Sequence, residues 1–241
     1  EKKKIKDNYK IIGFIKKAKL NFFNQYKAKD LSFAFNITKD EYLLTNIETN
    51  FNKIKYVSEL IEVKKKNQSF LVKGNVINNV ENYDFQNIKW LIGDFLNNLD
   101  IKDLRFGSKN DFSFIIDKKF KFLDLKLDTS LDIDNIIINK KLSSLQNYFP
   151  NYTNQIKLEN HKIKIKFSKN KLDIKGDGDI ILNNSVDQFT YKIIKKADQL
   201  LFDTSINIKS NPLNIYFLDF VKKENVESNL SFKGIRKKNK D

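Results

Sequence analysis

The chain has 241 residues and a formal net charge of +15, a size that allows one large domain or two small ones. It contains no cysteine, which excludes disulfides and thiol chemistry. It has no apolar run of about 18 residues, so no membrane-spanning helix is predicted within it. Lys, Asn and Ile are abundant throughout, as AT-rich codon usage produces, so the lysines alone do not indicate a selected binding surface. Because the first residue is not methionine, we expect this sequence to be part of a longer chain.

Alternating apolar and polar side chains predict most of the β-strands up to Val76, since a strand has a side-chain period of two. Ile11 to Phe23 mixes apolar and basic residues without a clean period and is predicted to be strand-like. The predicted strands are Ile11 to Phe23, Leu31 to Ile37, Tyr42 to Thr49, Phe51 to Val57, Leu60 to Val63 and Phe70 to Val76. A charged turn is predicted at Lys64 to Asn67, and residues 1–10 are expected to be frayed.

The stretch from Phe85 to Leu99 breaks this pattern and predicts an amphipathic helix. Its apolar residues fall on one stripe at helical spacing, namely Phe85, Ile88, Ile92, Phe95, Leu96 and Leu99. Asp84 is placed to cap the start, while Gly93 weakens the helix by about 1 kcal/mol relative to Ala. We expect the stripe to pack on the sheet and cover one edge or end of it. The alternative is a helix that plugs one end of a groove.

Strand patterns return after this helix and continue almost to the end of the chain. The predicted strands are Phe112 to Ile116, Phe120 to Leu127, Leu131 to Ile138, Lys162 to Phe167, Leu172 to Leu182, Phe189 to Ile193, Leu200 to Ile208, Leu213 to Phe220 and Val226 to Phe232. A short helical turn is predicted from Leu142 to Phe149 and is stopped by Pro150. Lys222 to Asn225 is predicted to be a turn, and Ile235 to Asp241 a frayed basic tail.

The clearest alternation lies between Lys162 and Leu182 and predicts a hairpin with one apolar face. The apolar face is formed by Ile163, Ile165, Phe167, Leu172, Ile174, Ile180 and Leu182, together with Gly176 and Gly178. Lysines and aspartates occupy the opposite face, and Ser168 to Asn170 connects the two strands. The two glycines leave room on the apolar face for a neighbour or a ligand.

About ten to twelve strands joined by short turns favour an antiparallel meander. Adjacent strands rotate by roughly 20–25°, so such a wide sheet must close into a barrel, fold into a sandwich or curl into an open trough. The predicted fold class is mainly β, with a large antiparallel meander curled into an open, taco-like groove and one or two short amphipathic helices. We treat the whole chain, residues 1–241, as a single section of this groove domain.

The sequence offers no catalytic or metal-binding motif, so no catalytic residue, metal or cofactor is predicted. His161 is the only histidine and is expected at a surface turn. Asp173, Asp177 and Asp179 lack the ligand spacing of an EF-hand and are predicted to form a solvated strand face. The chain is therefore expected to be non-enzymatic.

The basic charge suggests either nucleic acid or anionic lipid headgroups as a partner. A nucleic-acid binder concentrates its cations on one patch, whereas these lysines are spread over the chain and interleaved with acids. Only Arg105 and Arg236 are arginines, which is poor for recognising bases or phosphates. No nucleic-acid partner is therefore expected, although a basic nucleic-acid binder remains a minor alternative.

Three stretches resemble the AsmA-like superfamily of bacterial envelope proteins, which includes the TamB and YhdP types. They are Leu145 to Pro150, Leu172 to Gly178 and Asp219 to Phe232, and the likeness is best over roughly 142–234. The resemblance implies a β-groove in the periplasm of a Gram-negative bacterium, anchored to the inner membrane by a segment outside this sequence. It also implies a lipid-transfer conduit that serves outer-membrane biogenesis and reaches both membranes through other segments.

The 21 phenylalanines suit this interpretation, because they can line an apolar groove for phospholipid acyl chains. The predicted groove-lining residues are Phe112, Phe114, Ile116, Ile163, Ile165, Phe167, Leu172, Ile174, Ile180, Leu182, Phe202, Ile206 and Ile208. The alternative is that these side chains fill the core of a structural or adhesive β-sandwich or barrel.

Overall fold

The computed structural model describes residues 8–22, 26–92, 100–139, 143–182 and 184–237. The protein is mainly β, with 78% of it in strands. The first strands are β1 Lys10–Phe22, β2 Tyr26–Thr38, β3 Glu41–Phe51, β4 Ile54–Lys66, β5 Ser69–Tyr83, β6 Asp100–Asp117 and β7 Phe122–Asn139. They are followed by β8 Gln155–Ser168, β9 Lys171–Leu182, β10 Ser185–Lys196, β11 Gln199–Ile208, β12 Leu213–Ile215, β13 Phe220–Lys222 and β14 Ser228–Lys237.

Twelve of these strands form one antiparallel sheet in the order β1 to β11 and then β14. The small strands β12 and β13 pair with each other in a separate two-stranded sheet and form an insertion between β11 and β14. Within the described part of the chain, β1 and β14 each pair with one neighbour, so the sheet is not closed into a barrel. The predicted antiparallel meander is confirmed, and the closed-barrel alternative is wrong.

The chain divides into two compact units. The first unit contains the chain up to Asn79, Ser108–Thr129 and Phe167–Lys169. The second unit contains Val80–Gly107, Ser130–Lys166 and the chain from Asn170 onward.

A tight hairpin corrects the predicted strand from Phe51 to Val57. Phe51 pairs with Ile54, which leaves Asn52 and Lys53 as a two-residue loop between β3 and β4. Both loop residues have positive φ, 49° and 64°, as a type I′ turn requires. The mixed sequence around this loop lacks the Asn-Gly signal, and for that reason the turn was missed.

Bulged positions interrupt simple alternation in the first unit. Lys17, Asp30 and Asn46 lie inside β1, β2 and β3 with left-handed φ values of 52°, 56° and 53°. Shifts in strand register flank the first two of these positions. The Lys17 amide donates to Ser32 Oγ at 3.1 Å, which satisfies a donor that the ladder leaves free. Such bulges increase the local twist and re-aim the side chains that follow them.

Aromatic rings cover glycines on neighbouring strands of the sheet. Tyr191 pairs with Gly176 in the second unit, and a Cβ added to this glycine would lie 2.4 Å from the tyrosine ring. Phe202 covers Gly234 in the same way, with a distance of 2.3 Å. Each ring therefore fills the space that the glycine leaves free. This packing compensates for the loss of strand stability that glycine causes.

Two short helices connect strands, as predicted. Helix α1, Phe85–Ile92, begins after Asp84, whose carboxylate accepts a hydrogen bond from the Gln86 amide at 2.9 Å. Phe85 and Ile88 are buried, whereas the rest of the predicted helix, residues 93–99, lies outside the described residues. Helix α2, Ser143–Tyr148, matches the predicted helical turn before Pro150.

Three predictions near the chain ends need correction. Lys10 and Ile235 belong to β1 and β14, so they are paired rather than frayed, while residues 1–7 and 238–241 lie outside the described residues. The strand predicted from Leu213 to Phe220 is split by a 3₁₀ turn, Tyr216–Leu218. Asp219 follows this turn with φ 49°, and strand pairing resumes at Phe220 in β13.

The bulge at Asn46 can be tested by substitution. Replacing Asn46 by valine should lower the free energy of unfolding by about 1–2 kcal/mol, because a β-branched residue is strained at positive φ. The control Asn46→Gly should stay within about 0.5 kcal/mol of the unmodified protein, since glycine adopts this conformation readily. Urea unfolding measures both variants, and equal stability of the two would contradict a left-handed residue at this position.

Candidate functional site

In the second unit, the strand register brings predicted lining residues onto one face. Ile174 pairs with Ile193, and Ile193 pairs with Phe202, so these three side chains cross β9, β10 and β11 in one row. Two rows further along the same face, Gly178 pairs with Phe189, which pairs with Ile206. Directly opposed residues in an antiparallel pair point to the same face, and this face is therefore apolar over three strands.

Most of these residues are only half-buried. The half-buried members in the second unit are Ile163, Ile165, Leu172, Ile174, Ile180 and Ile206, and Phe202 is 39% exposed. Leu182 and Ile208 differ, because they are 3% and 0% exposed and belong to the core. These two side chains hold the face in place and are not accessible to a ligand.

His161 is buried in β8, and its predicted position at a surface turn is wrong. Only 1% of it is exposed, and its Nε2 lies 3.0 Å from the backbone oxygen of Asp179. Its ring occupies the space that Gly178 leaves, since a Cβ on that glycine would lie 2.4 Å from the ring. Burial lowers the pKa of His161, although the hydrogen bond to Asp179 and the nearby carboxylates of Asp177 and Asp179 act in the opposite sense.

A buried polar cluster joins the β12–β13 insertion to the sheet. The Asp187 carboxylate accepts hydrogen bonds from the amides of Lys209 and Ser210, both at 2.8 Å, and from Asn211 Nδ2 at 2.8 Å. Lys222 Nζ donates to the backbone oxygens of Lys209 and Asn211 at 3.0 and 2.6 Å. Burial lowers the pKa of Lys222, and the charges of Asp187 and Glu224 oppose this effect.

These hydrogen bonds give the cluster a structural role. Each oxygen of Asp187 already accepts at least one hydrogen bond, and the Lys222 ammonium has three carbonyl acceptors. The charged groups of the cluster are thus engaged within the chain. Sequence analysis did not identify the cluster, because Asp187, Asn211 and Lys222 are far apart in the chain and follow no recognisable motif.

The remaining predicted lining residues lie in β6 and β8. Phe112 and Phe114 are stacked, with ring centroids 5.8 Å apart, and Phe114 contacts Phe122 at 5.2 Å. Phe112, Phe114, Ile116 and Phe167 are all half-buried. The aromatic rings of β6 and β7 thus form a partly accessible apolar surface within the first unit.

A second polar chain of hydrogen bonds lies in the first unit. Thr129 Oγ1 donates to Asn110 Oδ1 at 2.9 Å, and Asn110 Nδ2 donates to Ser108 Oγ at 2.8 Å and to the Val76 oxygen at 3.1 Å. Ser108 Oγ in turn donates to Asn78 Oδ1. Thr129 and Asn78 are buried, and these bonds link β5, β6 and β7. Since each member has partners within the chain, the cluster stabilises the sheet.

The first unit also contains an apolar pocket that sequence analysis did not predict. Its volume is about 320 Å³, and only apolar atoms form its accessible lining. The lining residues are Ala28, Leu31, Ile47, Thr49, Phe51, Tyr56, Val57, Ser58, Ile61 and Val76. They come from β2, β3, β4 and β5 beside the bulges at Asp30 and Asn46. Simple alternation does not predict this pocket, because it is lined by both odd- and even-numbered residues of the same strand beside the bulges.

A cavity of about 340 Å³ in the second unit has a different character. Its lining includes Asp179, Asp187, Lys209 and Glu227, and both polar and apolar atoms are accessible in it. Asp187 is engaged in the buried cluster, and Glu227 accepts a hydrogen bond from Asn207 Nδ2 at 3.0 Å. Asp179 also accepts a hydrogen bond from Asn160 Nδ2 at 2.9 Å, so all three carboxylates of the cavity are already bonded within the chain.

The described residues show no arrangement that indicates a metal site or a membrane-spanning helix. Within the described ranges, no group of three or more His, Cys, Asp or Glu side chains is placed to hold a metal ion. No helix in the described part of the chain is long and apolar enough to span a membrane. No family model matches the sequence, and neither the curated proteins nor the solved structures contain a significant match.

The buried imidazole predicts a specific dependence of stability on pH. In the unfolded chain His161 takes up a proton near its ordinary pKa of about 6.5, whereas in the folded chain burial lowers this pKa. The contribution of the neutral His161 side chain to the free energy of unfolding should therefore be present above about pH 6.5. It should be lost as the pH falls toward the lowered pKa that His161 has in the folded chain.

The variant His161→Gln removes this titration and keeps an amide that can reach the Asp179 oxygen. Urea unfolding should show that the unmodified protein loses more stability than the variant between about pH 7.5 and about pH 5.5. An identical loss in both proteins would mean that the imidazole is not buried as a neutral group.

Proposed function

We propose that this chain is a non-enzymatic lipid-binding segment that holds phospholipid acyl chains on the apolar side chains of its β-sheet. In this proposal it is a section of an AsmA-like lipid-transfer conduit in the periplasm of a Gram-negative bacterium. Segments outside this sequence would anchor it to the inner membrane and reach the outer membrane.

The apolar pocket of the first unit is the observation that carries this proposal. Its volume of about 320 Å³ lies at the lower end of the range of roughly 300–1,000 Å³ for ligand sites. A pocket of this kind without accessible polar atoms cannot fix a polar ligand by hydrogen bonds. It suits a hydrocarbon segment, for which burial of each CH₂ group contributes about 0.8 kcal/mol.

The half-buried apolar face of the second unit supports the same function. The side chains of Ile163, Ile165 and Ile174 keep part of their surface accessible, although they are large and apolar. In the described part of the chain, the only other sheet is the three-residue pair β12 and β13, and the helices have eight and six residues. These elements are too small to cover a sheet of twelve strands, which leaves apolar surface for an acyl chain.

The chemistry of both surfaces predicts how binding discriminates between lipids. Apolar contact is non-directional and scales with buried area, so affinity should increase with acyl length. The accessible lining of the pocket has no polar group to recognise a headgroup. The proposed site therefore selects for the hydrocarbon part of the molecule.

The pocket can be tested with fatty acids of increasing length and a substitution that fills it. Affinity should rise by roughly fourfold for each added CH₂ group that becomes fully buried. Val76→Phe places a larger side chain in the pocket and should lower affinity for the longer acids by at least about tenfold. Val80→Phe, the same change at an exposed position of β5, serves as the control. Calorimetry measures these affinities, and equal affinity in both variants would exclude this pocket.

The apolar face is tested by lipid bound to the purified protein. Replacing Ile165, Ile174 and Phe202 by aspartate should remove bound phospholipid, because buried carboxylates are costly beside hydrocarbon. The matched changes Lys164→Glu and Asp173→Lys on the opposite face should leave it nearly unchanged. Lipid is quantified by mass spectrometry, with circular dichroism to show that each variant is folded. No lipid on the unmodified protein, or equal loss from both folded sets, would favour a structural β-domain.

A further inference from the structure

The turn between β6 and β7 is held in one conformation by hydrogen bonds to Asp117. The Asp117 carboxylate accepts from the amides of Lys119 and Lys121 at 2.8 and 2.9 Å. The backbone of Asp117 also pairs with the turn, since its oxygen accepts from Phe120 N at 3.0 Å and its amide donates to the Lys121 oxygen at 3.1 Å. Four hydrogen bonds thus fix the four-residue loop.

This turn exposes large apolar side chains. Phe120 is 82% exposed, Phe122 is 65% exposed and Leu123 is 47% exposed. Phe122 also rests against Phe114, with ring centroids 5.2 Å apart, which supports the base of the turn. The result is a small apolar tip on a well-ordered hairpin in the first unit.

Three lysines surround the apolar tip. Lys118, Lys119 and Lys121 are all exposed, and none forms an ion pair with a carboxylate of the described residues. Asp117, the acidic residue at the end of β6, is directed to the backbone amides of the turn, and the next acidic residue along the chain is Asp124 in β7. The three ammonium groups are therefore available to an anionic partner.

Phe120 is an unusual residue for its position. Its φ of 58° is left-handed, a conformation that bulky side chains rarely adopt. Other hairpin turns of the sheet place Asn67, Lys169 and Ala197 in this conformation, with φ of 48°, 48° and 42°. An exposed phenyl ring contributes no core packing here, and strained positions of this kind are concentrated at functional sites.

We propose that the turn from Lys118 to Leu123 docks onto the surface of an anionic phospholipid bilayer. The rings of Phe120 and Phe122 enter the interface between headgroups and acyl chains, where aromatic side chains are favoured. The three lysine ammoniums then face the lipid phosphates. This surface adjoins the predicted lining residue Phe114 through Phe122. It differs in role from the acyl-binding sites proposed above, because it recognises the bilayer rather than a single extracted chain.

The composition of the turn favours a bilayer over a nucleic acid. Single-stranded nucleic acids bind along grooves that track several nucleotides, with aromatic rings as stacking platforms. This surface is one short turn, and Leu123 offers no ring for stacking. The two arginines of the chain, Arg105 and Arg236, both belong to the second unit, so the first unit has none to grip a phosphate backbone.

Co-sedimentation of the full chain with lipid vesicles tests this proposal. The protein should bind vesicles of phosphatidylcholine mixed with phosphatidylglycerol more tightly than vesicles of phosphatidylcholine alone. Replacing Lys118, Lys119 and Lys121 by glutamine should weaken binding to the anionic vesicles by roughly 100-fold, at about fivefold for each lysine. Phe120→Asn should weaken it by roughly tenfold. Asparagine tolerates the left-handed conformation, so this variant should melt at the same temperature as the unmodified protein or higher.

Two control variants separate this turn from general charge and general exposure. Lys195 and Lys196 precede the left-handed Ala197 in another exposed hairpin turn, and their replacement by glutamine should leave binding within about twofold. Phe217, which is 77% exposed, is replaced by serine with the same expectation. Equal losses in either control and in the turn variants would overturn the proposal.

Two further readouts complete the test. Single-stranded DNA should not compete with the vesicles, and full competition would overturn the assignment to lipid surfaces. Phospholipid that co-purifies with the protein should persist in the Phe120→Asn variant. Loss of vesicle binding without loss of this lipid supports docking as a separate property, whereas unchanged vesicle binding in the lysine and Phe120 variants would contradict it.

Discussion

Backbone hydrogen bonds between neighbouring strands, which follow each other in sequence except for β11 and β14, hold the main sheet together and fix its register. This register decides which side chains share a face, since a slip of one residue would move every apolar side chain to the opposite face. In the second unit it aligns Ile174, Ile193 and Phe202 across three strands. The turns and bulges matter for the same reason, because a left-handed residue such as Asn46 re-aims the side chains that follow it.

In the second unit, several contacts within the chain stabilise the half-buried apolar face. The ring of His161 fills the space beside Gly178, and Tyr191 fills the space beside Gly176. The hydrogen bonds of Asp187 hold the start of the insertion after β11 against the sheet. These contacts pack positions within and beside the face, while aliphatic side chains such as Ile163 and Ile174 remain half-buried.

Alternation in the sequence predicted the class of fold, most strands and the face that carries Ile163 and Ile174, because a period of two is a local signal. It failed where the chain departs from that period. The two-residue turn at Asn52 and the bulge at Asn46 contain no glycine, so neither was predicted. The pocket is lined by odd- and even-numbered residues that share a face beside the bulges. The burial of His161 depends on Gly178 in the neighbouring strand. Such features arise from pairing between strands and are not visible within one segment.

Photo-crosslinking tests most directly the claim that acyl chains lie on the apolar face. A photoreactive phenylalanine analogue is placed at Ile174, which is half-buried on the apolar face, or at Lys175, which is exposed on the opposite face. Irradiation in bacterial cells that export the protein to the periplasm, followed by mass spectrometry, identifies any bound lipid. The account predicts a phospholipid adduct at position 174 and none at position 175. Absence of an adduct at position 174, or equal adducts at both positions, would contradict it.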